Sequence, residues 1–214
     1  MSRPPANYRA VIFDVGGVIV GSPLDAIAAY EREHGIPAGL INRVVVTTGA
    51  AGAWSRLERG ELSLEDFYPA FDADCARGGC PISARDLMIR VAAATVVRPA
   101  MLDAIARIRA QGLLVAVITN NWITEDGGTD ALRHHVDVFI ESAVVGVRKP
   151  DPVIFHLACD RAGIAPAEAI FLDDIGANLK TARALGMTTI KVADPDAALA
   201  ELEGLLGFPL RPPA

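Results

Sequence analysis

Five short apolar runs constrain this chain more than any other feature. They are "RAVIFD" (Arg9–Asp14), "LLVAVIT" (Leu113–Thr119), "DVFIES" (Asp137–Ser142), "AIFLDD" (Ala169–Asp174) and "TTIKV" (Thr188–Val192). Each is continuous rather than alternating, of strand length, and rich in Val and Ile. Strands buried on both faces of a parallel sheet read this way. Between them lie helical segments: "RPAMLDAIARIRAQG" places Met101, Leu102, Ile105 and Ile108 at helical spacing and stops on Gly112. "DPVIFHLACDRAGI" and "GANLKTARALGM" behave alike, stopping at Gly163 and Gly186. Strand followed by helix, repeated, predicts an α/β fold with a doubly wound parallel sheet.

Residues 21–97 break that rhythm and read as several helices with no clear strand, so the expected organisation is an α/β core over 1–20 plus 98–214 with a small helical unit inserted at 21–97. Ser63, three residues before Asp66, is a plausible helix start. "RVVVTT" (Arg43–Thr48) is β-branched and is compatible with either strand or helix. At 214 residues and 51% hydrophobic, the chain can bury one sizeable core with a satellite.

A net charge of −6 with no basic cluster argues against nucleic acid as a partner. No apolar run reaches the roughly 18 residues of a membrane helix, and the polar "MSRPPANYR" start does not read as a signal peptide. Three cysteines, an odd number, point to a reducing compartment and a cytoplasmic location. "CARGGC" (Cys75–Cys80) lacks the second pair or histidine of a zinc site. Monomer and homodimer both stay open.

The polar residues fall in a pattern. In open α/β sheets, ligands bind beyond the carboxyl ends of the strands. Here those ends carry Asp14, then Thr119 with Asn120 and Asn121, then Asp173 and Asp174. Lys149, one of only three lysines, sits in "VRKPDP", where the following proline biases it away from helix. Taken singly, each has an ordinary explanation: Asp14 as a turn acid, Thr119-Asn120 and Asp173-Asp174 as helix caps, Lys149 as a solvated charge. Taken together and in this order, they describe one crevice. Three crowded carboxylates repel one another, and a hard divalent cation such as Mg²⁺ resolves this with oxygen ligands. Asp14 would then be a nucleophile forming an aspartyl-phosphate, while Lys149 and Thr119 hold phosphate oxygens of a small phosphorylated substrate.

These motifs resemble the haloacid dehalogenase superfamily over the whole chain. "FDVGGV" looks like its first motif, "ITNN" its second, "RKPDP" its third and "FLDDIGANLKTARALGM" its fourth, while the insert looks like its helical C1 cap. "AWSRLERGELSLEDF" and "FLDDIGANLK" look closest to the branch of phosphatase-like N-terminal domains carried by soluble epoxide hydrolase and acyl-CoA dehydrogenase family member 10. The resemblance implies a Mg²⁺-dependent phosphatase in which Asp14 is nucleophile and metal ligand. Position 16 would supply a backbone carbonyl to the metal and Asp174 a carboxylate, supported by Asp173 and Asn178. Thr119 and Asn120 would bind the phosphoryl group, and Lys149 would balance charge.

One departure stands out. The family's phosphatases carry a second aspartate two residues after the nucleophile, as general acid and base; here it is Gly16. Losing such a group costs about 10²–10⁴ in rate. The alternatives left open are a phosphatase that manages otherwise, a catalytically weak binding or scaffold protein, and a metal-independent 2-haloacid dehalogenase. A phosphonate hydrolase would need a cap lysine, and residues 21–97 contain none. Outside the motifs, Trp122 is expected to wall the pocket, and Trp54 either faces substrate or packs in the insert's core. His156 reads as structural.

Overall fold

The computed structural model describes residues 8–124 and 130–211. Five parallel strands, β1 (Ala10–Phe13), β2 (Leu114–Thr119), β3 (Val138–Glu141), β4 (Ala169–Asp173) and β5 (Thr188–Lys191), form one sheet in the order β3-β2-β1-β4-β5. The five apolar runs are these five strands. Because β1 lies at the centre, the chain winds first to one side of it and then, from β4, to the other. That reversal creates a switch point beside β1, where such folds open their ligand crevice.

The insert between β1 and β2 contains α1 (Pro23–Glu33), α2 (Leu40–Thr48), α3 (Ala53–Glu58), α4 (Leu64–Arg77) and α5 (Ala84–Ala94). The rest of the chain adds α6 (Pro99–Ala110), short α7 (Asp130–Arg133) and α8 (Ser142–Val145), then α9 (Pro152–Ala162), α10 (Gly176–Ala184) and α11 (Pro195–Leu206). Alternate residues of β1 serve opposite faces of the sheet. Val11 and Phe13 pack with Met101 and Ile105 of α6 and Leu199 and Leu202 of α11. Ala10 and Ile12 pack with Ile154 and Phe155 of α9 and Leu179 of α10. Both faces are therefore dry, which is why the strands read as unbroken apolar runs.

The insert has an apolar cluster of its own, built on Tyr30, Ile41, Trp54, Phe67, Phe71 and Leu87. "RVVVTT" falls in α2. Ile41 and Val44, three apart, are buried in that cluster. Tertiary packing overrides the β-branched propensity, and the Thr48 hydroxyl donates back to Val44 O at 2.8 Å. The stretch "GLINRVVVTTGAAGAWSRLERG" splits into α2 and α3 where Gly49 takes a φ of 57°. Ser63 does start a helix: its hydroxyl accepts from Asp66 N at 3.1 Å. Among the described residues, no helix is long and apolar enough to cross a membrane.

Candidate active site

Strand register brings the acids together. Phe13 is level with Leu172 on β4 and Val117 on β2, so the next residue, Asp14, stands beside Asp173. The Asp14 amide donates to Leu172 O at 2.9 Å. Asp14, Asp173 and Asp174 each present a carboxylate oxygen within 4.8 Å of the others. Asp14 and Asp173 are buried, and Asp174 is half-buried.

One amine answers this charge. Lys149 Nζ lies 2.7 Å from Asp14 Oδ1 and 2.8 Å from Asp173 Oδ2, and is itself buried. Its backbone is clamped by Asn120, whose Oδ1 accepts from Lys149 N at 2.8 Å while its Nδ2 donates to Lys149 O at 3.0 Å. Asp173 is fully committed: Asn178 Nδ2 donates to both of its oxygens, at 3.1 and 3.0 Å, and Ile175 N donates to Oδ1 at 2.7 Å. Asp173 and Asn178 therefore hold Lys149 in place. Asp14 also accepts from Val15 N at 2.6 Å, again on Oδ1. Among the described residues both of its bonds fall on that oxygen, which leaves Oδ2 uncommitted.

The electrostatics match the geometry. Burial, with the neighbouring Asp173 and Asp174 charges, pushes the Asp14 carboxyl well above its ordinary range against the pull of Lys149. Asp174 is raised by burial and then by Asp173. For Lys149, burial works downward, but Asp14 and Asp173 overcome it and hold the amine above its usual value. A single cation shared among three carboxylates leaves negative charge uncompensated, on hard oxygen donors. Asp14 and Asp174, free of the bonds that occupy Asp173, suit a small divalent cation.

The turn after β1 is shaped to admit Asp174. Gly17 has a φ of 74°, and a Cβ there would sit 2.1 Å from Asp174 Oδ2, so only glycine lets that carboxylate approach. Arg98 Nη1 fixes the turn by donating to Gly17 O at 2.6 Å and Val18 O at 3.0 Å. Ser22 Oγ donates to Asp174 Oδ2 at 3.2 Å. Nothing in the spacing of Ser22 or Arg98 flagged either one.

A cleft of about 140 Å³ opens over the cluster. Asp14, Gly16, Asn120, Trp122, Lys149, Asp174 and Asn178 all line it. Thr119 does not: it is buried at the end of β2, one residue below the rim. The insert contributes Trp54 and Glu58 from α3, and Trp54 meets Trp122 edge-on at 6.3 Å. Trp54 thus belongs both to the insert's core and to the cleft wall. Sequence reasoning missed Glu58 and Arg148. Glu58 Oε1 accepts from Trp54 Nε1 at 3.0 Å and its Oε2 from Arg148 Nε, while Arg148 Nη1 donates to Ser55 Oγ at 3.2 Å. Burial raises the Glu58 carboxyl despite Arg148 and Trp54. His156 lies exposed on α9, away from the cleft. A larger concavity of about 460 Å³ lies along α1 and α2 and touches none of the three aspartates. Asp14, Lys149 and Asp174 line the smaller one.

The sequence profile of the haloacid dehalogenase-like hydrolases matches residues 8–186. The chain belongs to that family. It is 43% identical over 95% of its length to mouse acyl-CoA dehydrogenase family member 10, and 34% identical over 94% to pig bifunctional epoxide hydrolase 2. The chain spans only 20% and 39% of those proteins, respectively. A haloacid dehalogenase family enzyme from Bacteroides thetaiotaomicron, solved in complex with magnesium and inorganic phosphate, shares the fold with a TM-score of 0.61. That match has 19% identity and covers 86% of this chain and 93% of the other. The family and the parallel α/β core expected from the motifs are both borne out.

Proposed function

We propose that this family member is a Mg²⁺-dependent phosphatase acting on a small phosphorylated substrate through an aspartyl-phosphate on Asp14. The observation that carries the reading is the placement of the Lys149 amine between Asp14 Oδ1 and Asp173 Oδ2. That leaves Asp14 Oδ2 as the nucleophilic oxygen at the mouth of a cleft that also contains Asp174. Lys149 orients Asp14 and neutralises charge on the transferring group. Asp14, Asp174 and the Gly16 carbonyl are the proposed holders of Mg²⁺, with Asp173 and Asn178 as support. Bound there, the cation would offset the carboxylate repulsion and the charge of the phosphoryl oxygens. Thr119 and Asn120 are the proposed phosphate-side groups at the end of β2, and Trp122 is a wall. The insert, 21–97 in this reading, is the cap over the cleft. A reducing, cytoplasmic setting belongs to the same proposal, supported by three free cysteines.

The test is phosphate release from a generic aryl phosphate with Mg²⁺. Activity is expected to disappear with EDTA and in Asp14→Asn. Undiminished phosphate release by Asp14→Asn would refute the nucleophile, and halide release from haloacids that survives EDTA would favour dehalogenation instead.

A further inference from the structure

Among the described residues, the cleft is short of proton donors. A Cβ at position 16 would lie 3.1 Å from Pro23 Cδ and 3.3 Å from its Cγ. The first turn of α1 thus packs tightly against this position. Among the described residues lining the cleft, only Asp14, Glu58, Lys149 and Asp174 can exchange a proton. The others are apolar, amide, indole or guanidinium groups, and arginine does not deprotonate in proteins.

Each of the four is committed. Asp14 is the nucleophile, Asp174 faces the proposed cation, and the Lys149 amine is fixed between Asp14 and Asp173. Glu58 has both oxygens occupied, one by the Trp54 indole N–H and one by the Arg148 guanidinium. Neither donor can turn round and accept, so a proton on Glu58, which its burial favours, has to share an oxygen with one of them.

We infer that the substrates of this cleft are phosphoryl compounds whose leaving group departs as a stable anion, such as acyl or aryl phosphates. The inference rests on the reading of Asp14 as nucleophile. In the first step Asp14 Oδ2 bonds to phosphorus, the bond to the leaving oxygen breaks, and that oxygen keeps the electron pair. A carboxylate or phenolate carries this charge unaided, since the parent acids ionise near pH ~4 and ~10. An alkoxide, whose parent is about as weak an acid as water, needs a proton. In the second step water attacks phosphorus and the bond to Asp14 breaks, regenerating its carboxylate. The water's proton leaves to solvent or with inorganic phosphate. With no base among the described lining residues positioned to take that proton, this step lacks the roughly 10²–10⁴-fold that such a group contributes. Breakdown of the aspartyl-phosphate, not its formation, therefore limits turnover of activated substrates.

Rapid-mixing kinetics of the Mg²⁺-loaded protein with acetyl phosphate, para-nitrophenyl phosphate and ethyl phosphate test this. The expected result is a burst of about one equivalent of nitrophenolate per active site. The two activated compounds then share one steady-state rate, and ethyl phosphate runs at least ~10²-fold slower. Ethyl phosphate turned over within about tenfold of the aryl ester, without a burst, would overturn the inference while leaving the phosphatase reading intact. So would a Glu58→Gln variant that loses activity on ethyl phosphate alone, since it would identify Glu58 as the missing acid. No phosphate release from any of the three would overturn the parent reading and this inference with it.

Discussion

The carboxyl edge of the sheet and the helical insert line the same cleft, but they hold their charged groups by different means. At the sheet edge, Asp14 and Asp173, at the ends of β1 and β4, are satisfied within a few ångströms by Lys149 from the loop before α9 and by Asn178 from α10. In the insert, one acid, Glu58, is held by its own helix neighbour Trp54 and by an arginine from the core. The core half of the site is organised by the sheet and the segments that follow its strands, with one bond from the insert, Ser22 to Asp174. The insert half exists only while the insert is seated. Lys149 and Arg148 are adjacent in sequence yet belong to the two different regimes, so paired substitutions can break the contrast.

The largest expected effect is at Lys149. Lys149→Met leaves Asp14 and Asp173 buried without their cation, and breaking a buried ion pair costs about 3–5 kcal/mol. Arg148→Met removes a partner that is 27% exposed from a Glu58 that keeps its indole donor, and should cost about 1–3 kcal/mol. Urea unfolding of both variants in EDTA checks the order. Equal losses would mean that the two halves are not held differently.

The same contrast explains what could be read from the sequence. The sheet edge was legible because continuous apolar runs mark strands, and a strand's last residue is fixed in space once its neighbours are known. Asp14 and the Asp173-Asp174 pair came together for that reason, and Lys149 reaches them from the loop before α9. Glu58 and Arg148 were not legible. A charge on an amphipathic helix is ordinarily solvated, and which face of α3 meets the core is set by packing of Trp54, Phe67 and Phe71. Pro23 was hidden in the same way: its ring meets Gly16 across a turn whose path only the structure supplies. The β-branched run in α2, open to either reading in the sequence, was decided by burial of Ile41 and Val44 in the insert's own cluster.

Two neighbouring glycines sharpen the comparison at smaller scale. Gly17→Ala must place a Cβ against Asp174 Oδ2 at a φ of 74°; strain of this kind costs about 1–3 kcal/mol. It also displaces a proposed metal carboxylate, so the Mg²⁺ concentration for half-maximal thermal stabilisation should rise at least ~10-fold, equivalent to about 1.4 kcal/mol of binding. Gly16→Ala has an ordinary φ and meets only the Pro23 ring, part of the insert, which need give by a few tenths of an ångström. It should leave Mg²⁺ binding within about twofold, well under 1 kcal/mol. Calorimetric titration with Mg²⁺ alone measures both. A Gly16→Ala defect as large as that of Gly17→Ala would place the insert's first turn inside the metal site.

The smallest effect is in pH. Without metal, Asp14, Asp174 and Glu58 all have carboxyls raised above their ordinary values, chiefly by burial. Between the ordinary range and the raised values, the folded chain keeps protons that the unfolded chain has lost. The contribution of these three groups to stability is therefore greatest below the unfolded pKa, near ~4, and falls as pH rises through the folded values, by at most about 1.4 kcal/mol per pH unit for each proton. Saturating Mg²⁺ should flatten the share due to Asp14 and Asp174, because a bound cation favours their charged forms. The share due to Glu58 should persist, because its surroundings are Trp54 and Arg148. Glu58→Gln should then remove what Mg²⁺ leaves. Urea midpoints from about pH 4 to 8, with and without Mg²⁺, separate the two. If Mg²⁺ alone flattens the whole curve, Glu58 responds to the metal, and the insert is electrostatically part of the sheet-edge cluster rather than a separately held wall.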